Sequence, residues 1–420
     1  MTVTPLPWRD PSERFPEFAR RPYCVWLDTA THNDATNRVS IIAADPSHVF
    51  RFKADPAHHA DPFDTLDKLL AQHRPAAAIG YFGYDLKNQI EELPAKAEDD
   101  LHLPDCWFGL YDSILEFDHT AKTVREISGG QGLRRAAPHP VSNLQSPISN
   151  PLHSNFTRDQ YRATVRRAKD YIAAGDIYQV NLSQRFQCGI TASSLELYAA
   201  LRNANPAPYS AYLDIGDAQI LSSSPECFLR MTGRDIVTRP IKGTLPRHRN
   251  PDDLLRSAKD NAELLMITDL ERNDLGKVCE FGSVNVPELF RVESYATVHH
   301  LVATVAGKLR PDVSHVRALR ACFPGGSITG APKIRAMEII DELEPHARGI
   351  YCGAIGYFGH DGTSHFNIAI RTIVHQSGLL TFHAGGGIVA DSEPDAEYDE
   401  TLAKAEGILR ALDQLRLRQR

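Results

Sequence analysis

The run Ala-Ile-Gly-Tyr-Phe-Gly occurs twice in this chain, at 78–83 and letter for letter again at 354–359. Glycines spaced through an apolar run mark strands where another backbone approaches closely or where the ladder bulges. One hexapeptide is not a repeat array. Two readings stay open: coincidence in Gly-rich apolar strands, or a pair of related sheets. The segments between and around the two copies mix strand-like and helix-like runs without a regular βαβ rhythm. That pattern favours an α+β architecture with large antiparallel sheets over a doubly wound fold.

The clearest seam is Ser128 to Phe156, which holds Gly129-Gly130, Pro138, Pro140, Pro147 and Pro151. Such a stretch reads as a linker or a long surface excursion. We therefore expect a β-rich N-terminal domain over 1–127, a linker over 128–156 and a catalytic domain over 157–416. Strand-like runs precede the seam at Cys24–Asp28 and Arg38–Ala44. After it, Thr157 with Gln160 forms a capping box for a helix to about Ala174, stopped by Gly175. The run Ile177–Phe186 reads as the next strand.

A net charge of -7 over 420 residues argues against a nucleic-acid footprint. No apolar run reaches the roughly 18–20 residues of a membrane helix, and Met1–Asp10 does not look like a secretory signal. The seven cysteines are scattered, odd in number and lack a Cys-x-x-Cys pair. They read as reduced thiols of a cytoplasmic protein rather than a disulfide framework or zinc site.

Chemistry concentrates in a few places. Lys242 is a lone amine in the apolar run Arg239-Pro240-Ile241-Lys242-Gly243-Thr244. Burial or a nearby cation would lower its pKa and make it a nucleophile. Two helices present carboxylates: one from Asn250-Pro251 to about Glu271 with Asp260 and Glu263, and one after Ser392 with Glu397, Glu400 and Lys404. The second has an apolar stripe at Tyr398, Leu402, Ala405, Leu409 and Leu412. Two or three carboxylates with room for water suit Mg²⁺. Two glycine-rich turns, Pro324–Lys333 and Gly385-Gly386-Gly387, are suited to an anion, although neither has nucleotide-binding spacing. Arg371, in an alternating strand over Phe366–Val374, suits a carboxylate. Glu226, at the end of Ser223-Ser224-Pro225-Glu226, is a candidate general acid.

Together these segments resemble the chorismate-utilising enzymes, most closely their aminodeoxychorismate synthase branch. The resemblance runs over roughly 156–412 and rests on Ser223–Glu226, Pro240–Thr244, Ser257–Asp274, Val298–Leu301, Phe323–Lys333, Arg371 and Gly385–Asp391. Gly80–Leu86 matches more loosely. The resemblance implies two intertwined β-rich domains packed as a sandwich, helices outside, and a Mg²⁺-dependent site in the cleft. It places Glu263 and Glu400 as Mg²⁺ ligands with Glu397 close by or acting through water. Asp260 stands where relatives often carry Glu. Tyr351, Arg371 and Gly385 match residues gripping the enolpyruvyl carboxylate, and Gly243, Thr244, Ser327 and Lys404 line the rest. Glu226 matches the acid that helps the C4 hydroxyl leave.

Two positions narrow the branch. Anthranilate and salicylate synthases usually carry Ala where this chain has Lys242, which in the aminodeoxychorismate branch is thought to attack ring C2. Gln179 replaces the lysine base of the water-activating enzymes, which fits ammonia as nucleophile. His300 matches a histidine linked to pyruvate elimination. No cysteine sits in a Gly-x-Cys-x-Gly elbow, so a separate glutamine amidotransferase subunit is the expected ammonia source. With no lyase domain after Arg420, the expected product is 4-amino-4-deoxychorismate. Anthranilate synthase component I is the nearest alternative; a pyridoxal phosphate enzyme and a non-catalytic sensor are more distant ones.

Overall fold

The computed structural model describes residues 1–31, 38–55, 61–129, 151–295 and 298–417. Most of the 128–156 seam, including Gly130, Pro138, Pro140 and Pro147, lies outside the described residues. Its flanks are ordered into a sheet. Thr123–Ser128 pairs with Ser113–Asp118, and His153–Ser154 pairs with Gln187 and Phe186.

Two antiparallel sheets, of twelve and ten strands, face each other. Each draws strands from both sides of the seam. The twelve-stranded sheet joins Val25–Asp28 to Tyr209–Asp214, and the ten-stranded sheet joins Ala77–Phe82 to Ala354–Gly359. Intertwining is therefore built into the strand order. The inner core holds Ile41, Tyr81, Trp107, Tyr111, Leu213, Ile220 and Ile355, from both sheets. Burying each large aromatic contributes on the order of 2–3 kcal/mol. Helices Pro62–His73 and His315–Cys322 cover the outer face of the ten-stranded sheet. Helices Ser194–Ala204 and Pro394–Leu417 cover the other. The expected α+β sandwich with helices outside is what the chain forms. No helix among the described residues is long and apolar enough to cross a membrane. All seven cysteines are buried free thiols.

The repeated hexapeptides are neighbours in one sheet rather than members of two related sheets. They pair antiparallel, with Gly80 opposite Gly356. A Cβ on Gly80 would lie 1.9 Å from the Trp107 carbonyl oxygen, and one on Gly356 1.9 Å from that of His365. Both positions need glycine because a flanking strand crosses them at backbone distance.

Local signals behaved according to their strength. The Thr157–Gln160 capping box is present, and Gly175 ends the Arg158–Ala174 helix at φ +85°. The helix expected over 250–271 is instead two. Ser257 adopts extended backbone between Asp252–Arg256 and Ala258–Gly276, and its hydroxyl caps the second helix at the Asp260 N–H. The glycines at 385–387 lie within the strand Leu379–Ile388, not in a turn. The expected strand over 366–374 breaks at Arg371, which has φ +51°. On the last helix the buried stripe is Ala405, Ile408, Ala411, Leu412 and Leu415, while Leu402 is exposed. The helix turns its Ile408–Leu415 edge inward because the Ser194–Ala204 helix packs there.

Replacing Gly80 by Val should cost about 3 kcal/mol through overpacking. Gly276→Ala, at a helix end with open space around it, should be neutral or stabilising by about 0.5 kcal/mol. Urea unfolding of the two variants checks the contrast, which equal midpoints would contradict.

Candidate active site

The chain passes between the sheets twice at one place. Gln219–Ser224 belongs to the twelve-stranded sheet and Cys227–Thr232 to the ten-stranded one, so Glu226 sits on the passage. Thr363–Ile368 and Thr372–Gln376 make the reverse passage at Arg371. The passages are tied together: the Ser223 N–H donates to the Arg371 carbonyl at 3.1 Å, and the Ile368 N–H to that of Glu226 at 3.1 Å. The Ser224 hydroxyl donates to the Ile368 carbonyl at 2.6 Å. Neither side chain can follow a sheet face there, and a carboxyl and a guanidinium come within electrostatic reach of each other between the layers. Glu226 is buried, and burial raises its pKa above the ordinary carboxyl value. The nearby Ser327 side chain and the charge of Lys242 oppose this. For Arg371 the same desolvation lowers the pKa, with Glu226 pulling it back.

Lys242 enters from the edge strand Ile241–Pro246, which pairs with Val298–Lys308. A bulge between Lys242 and Thr244 centres on Gly243, at φ +77°. Any Cβ at Gly243 would stand 3.0 Å from Asp260 Cγ, so the bulge lies directly on the Ala258–Gly276 helix. The twist aims the Lys242 amine inward, 3.4 Å from the Ser327 carbonyl. Desolvation depresses its pKa, helped by Lys404 and resisted by Glu263, Glu226 and Glu400. Such an amine is neutral far more often than a free lysine. Thr244 faces His300 in the ladder, and its hydroxyl lies 2.9 Å from His300 Nδ1. Burial and the nearby Arg371 push His300 down to about 3, so the ring is neutral at physiological pH.

The candidate carboxylates come from two helices. Glu397 and Glu400 flank Gly386, where a Cβ would lie 3.3 Å from Glu397 Oε2 and 3.1 Å from Glu400 Oε1. Glycine at 386 keeps that space open. Glu397 Oε1 accepts from the Ser392 hydroxyl at 2.6 Å, whereas its buried Oε2 has no hydrogen-bond partner among the described residues. Burial, with Glu400 adding, raises the pKa of Glu397. Lys404 pairs with Glu400 at 2.7 Å and donates to the Gly385 carbonyl at 2.9 Å. Glu263 lies on the Ala258–Gly276 helix, 3.9 Å from Lys259. No group of three or more His, Cys, Asp or Glu side chains among the described residues is already gathered as a metal cage.

Gln179 is fully buried, and neither atom of its amide has a hydrogen-bond partner among the described residues. Its Nε2 would lie 2.6 Å from a Cβ at Gly387. Tyr351 stands further out, its ring stacked on His383 at 4.9 Å with Arg348 5.7 Å from its centroid. Its neighbour Cys352 donates to the Ala369 carbonyl at 2.9 Å, which ties this loop to the Arg371 passage. A cavity of about 190 Å³ runs behind Tyr351 along Arg348, Thr372 and His383. One of about 580 Å³, lined by Asp28, Tyr209, Arg230 and Asn367 among others, lies away from Lys242. The polar groups of the candidate site converge at Lys242 rather than at either cavity.

Sequence reading missed three contributors. Asn181 donates to the Ser327 carbonyl at 3.0 Å, Ser392 holds Glu397, and Glu271 accepts the Gly326 N–H. Each is an ordinary polar residue within a run that patterning assigns to strand, turn or helix. Their roles come from contacts across the fold.

The profile of the chorismate binding enzymes matches residues 22–410. The chain belongs to this family. Aminodeoxychorismate synthase component 1 of Klebsiella aerogenes is 42% identical to this family member, covering 97% of the chain and 98% of the relative. The Escherichia coli protein of that name is 41% identical, with 98% of each covered. Anthranilate synthase component 1 of Thermus thermophilus is also 42% identical, but over 80% of this chain and 77% of the relative. Among solved structures, anthranilate synthase component I from Streptococcus pneumoniae superposes with a TM-score of 0.77 at 33% identity, covering 90% of this chain and 93% of that one. The Escherichia coli isochorismate synthase MenF shares the fold, with a TM-score of 0.76 at 17% identity over 98% and 94% of the two chains.

Because burial holds His300 neutral, its ring signals should stay fixed between pH 5 and 8 in NMR spectra of the folded chain. A titration with a midpoint near the free value of about 6.5 would contradict the desolvated site.

Proposed function

We propose that this chain is an aminodeoxychorismate synthase component 1, forming 4-amino-4-deoxychorismate from chorismate and ammonia in 4-aminobenzoate and folate synthesis. The observation that carries this reading is Lys242, a desolvated amine beside the buried acid Glu226 in a chorismate binding enzyme. Near-full-length identity to proteins of that name supports it.

In this mechanism the Lys242 lone pair attacks ring C2 as both ring double bonds shift, C1=C2 to C6=C1 and C5=C6 to C4=C5, and the C4–O bond breaks. Glu226, whose pKa burial raises, gives its proton to the departing hydroxyl, which leaves as water. The adduct nitrogen sheds its extra proton to the solvated cleft. Ammonia then adds at C4, both double bonds shift back and the C2–N bond breaks. The one proton released by the new ammonium returns Lys242 to the free amine, and the proton shed earlier to the cleft returns Glu226 to the acid. Arg371, Tyr351 and the Gly385 backbone would hold the enolpyruvyl carboxylate, with Gly243, Thr244, Ser327 and Lys404 around the ring. Neutral Gln179 cannot act as a base toward water, and neutral His300 is restricted to hydrogen bonding.

The open space over Gly386 and the unpartnered Glu397 oxygen fit a hard cation. Glu400, Glu263 and Glu397 would hold Mg²⁺ with help from substrate and water, as this ion prefers few protein ligands. Once bound, the ion would neutralise the ring carboxylate of chorismate. The name component 1 implies a second component, and we assign it the role of a glutamine amidotransferase supplying ammonia.

Anthranilate synthesis is the second reading, favoured by the Thermus thermophilus relative. The two separate on product. With chorismate, Mg²⁺ and an ammonium salt, 4-aminobenzoate should appear only after an aminodeoxychorismate lyase is added. Fluorescent anthranilate formed directly would overturn the proposal. Lys242→Ala and Glu226→Gln should each lower kcat by about 100-fold or more. Glu400→Gln should raise the Mg²⁺ concentration giving half-maximal rate by about tenfold, measured by titration into chelator-treated enzyme.

A further inference from the structure

Among the buried acids that the mechanism leaves unused, Glu271 lies beside the site. Glu271 is only 3% exposed, on the face of the Ala258–Gly276 helix turned toward the Gly325–Ser327 turn. Its Oε1 accepts the Gly326 N–H at 3.0 Å, and its Oε2 has no hydrogen-bond partner among the described residues. Gly326 rests directly on this helix: a Cβ there would lie 2.6 Å from Leu270 Cδ2 and 3.1 Å from Glu271 Oε1. The turn is closed by the Thr329 hydroxyl, which donates to the Gly325 carbonyl at 3.0 Å. One residue on, the Ser327 carbonyl receives Lys242 Nζ at 3.4 Å and Asn181 Nδ2 at 3.0 Å. The Ser327 side chain lies close enough to Glu226 to lower its pKa. Glu271 thus holds the peptide next to the residue that touches both proposed catalytic groups.

We infer that Glu271 is a positioning residue: it anchors the Gly325–Ser327 turn and through Ser327 sets the Lys242 amine and the Glu226 carboxyl. The catalytic part of this inference rests on the proposed function; the placement of Lys242 does not. The groups facing Glu271 are Asp274 on its own helix, Lys333 at the start of the Lys333–Leu343 helix, the Cys322 thiol and Glu226 across the site. Burial, with Asp274 adding, pushes Glu271 up to about 7, against the pull of Lys333 and the Gly326 N–H. A carboxylate accepts an N–H more strongly than the neutral acid does. The turn is therefore held more firmly as pH rises through neutrality, and the hold weakens below it.

The test uses the full chain with Glu271→Gln, which keeps an acceptor but cannot ionise, and Glu271→Ala, which removes the anchor. Steady-state rates with chorismate, Mg²⁺ and ammonium are followed from pH 6 to 9. In parallel, trinitrobenzenesulfonate labelling of Lys242 is quantified by peptide mass spectrometry, with exposed Lys68 as reference. At pH 8 we expect Glu271→Gln to lower kcat about tenfold with the chorismate KM within about threefold, and Glu271→Ala to lower it further. The rise of Lys242 labelling relative to Lys68 through pH 7 should flatten in both variants. Unchanged kcat together with an unchanged Lys242 profile would overturn the inference. So would activity lost only in proportion to folded protein while the labelling profile is kept. Should the unaltered chain make no aminodeoxychorismate, the proposed function falls, and the labelling comparison alone decides the role of Glu271.

Discussion

Everything at the candidate site depends on the paired passages between the sheets. Backbone hydrogen bonds from Ser223 to Arg371 and from Ile368 to Glu226 lock two oppositely running segments together as each changes layer. A segment between layers presents its side chain to neither the inner core nor the solvent face. The passages therefore hold ionisable groups, Glu226 and Arg371, in surroundings that would expel them elsewhere. Glu226 acts electrostatically on Arg371, and desolvation raises the carboxyl pKa while lowering that of the guanidinium.

Around this fixed pair, the remaining parts are brought in by features that deform regular elements. The Gly243 bulge turns Lys242 inward, and its backbone lies on Asp260. Glycines at 385–387 strip side chains from a strand, so that Glu397, Glu400 and Gln179 occupy the space. Ser257 breaks what would otherwise be one long helix and thereby sets the direction of the segment carrying Glu263 and Glu271. In each case a locally unfavourable choice is offset by packing elsewhere, a common pattern at functional sites. The clustering also explains the spread of ionisation: Lys242, Glu226, His300 and Glu271 are all shifted against their charged forms, because the same dry volume encloses them.

Strong local signals carried much of the fold in advance. The Thr157 capping box, the Gly175 stop and the carboxylate-bearing last helix formed where the residue pattern put them. Lys242, Glu226, Glu263, Glu400, Arg371 and Lys404 were recognisable because motifs of a known family surround them. Where patterning failed, competing contacts won. The continuous strand through Arg371 gave way to a passage between sheets, and the glycine run at 385–387 became strand because Gln179–Gly189 pairs along it. The last helix buried Ile408 and Leu415 rather than Leu402, following the helix packed beside it.

The sequence alone determined the element types with marked ends, the exclusion of a membrane-spanning helix and the motif set that belongs to chorismate enzymes, since these rest on short-range chemistry and residue order. Only the tertiary structure decided that the twin hexapeptides pair with each other, that Glu226 and Arg371 sit on adjoining passages, and that Glu271 reaches the Gly326 backbone. Such contacts join residues far apart in the chain. They depend on strand order and on which surfaces lose water together, and neither is encoded in any single stretch of residues.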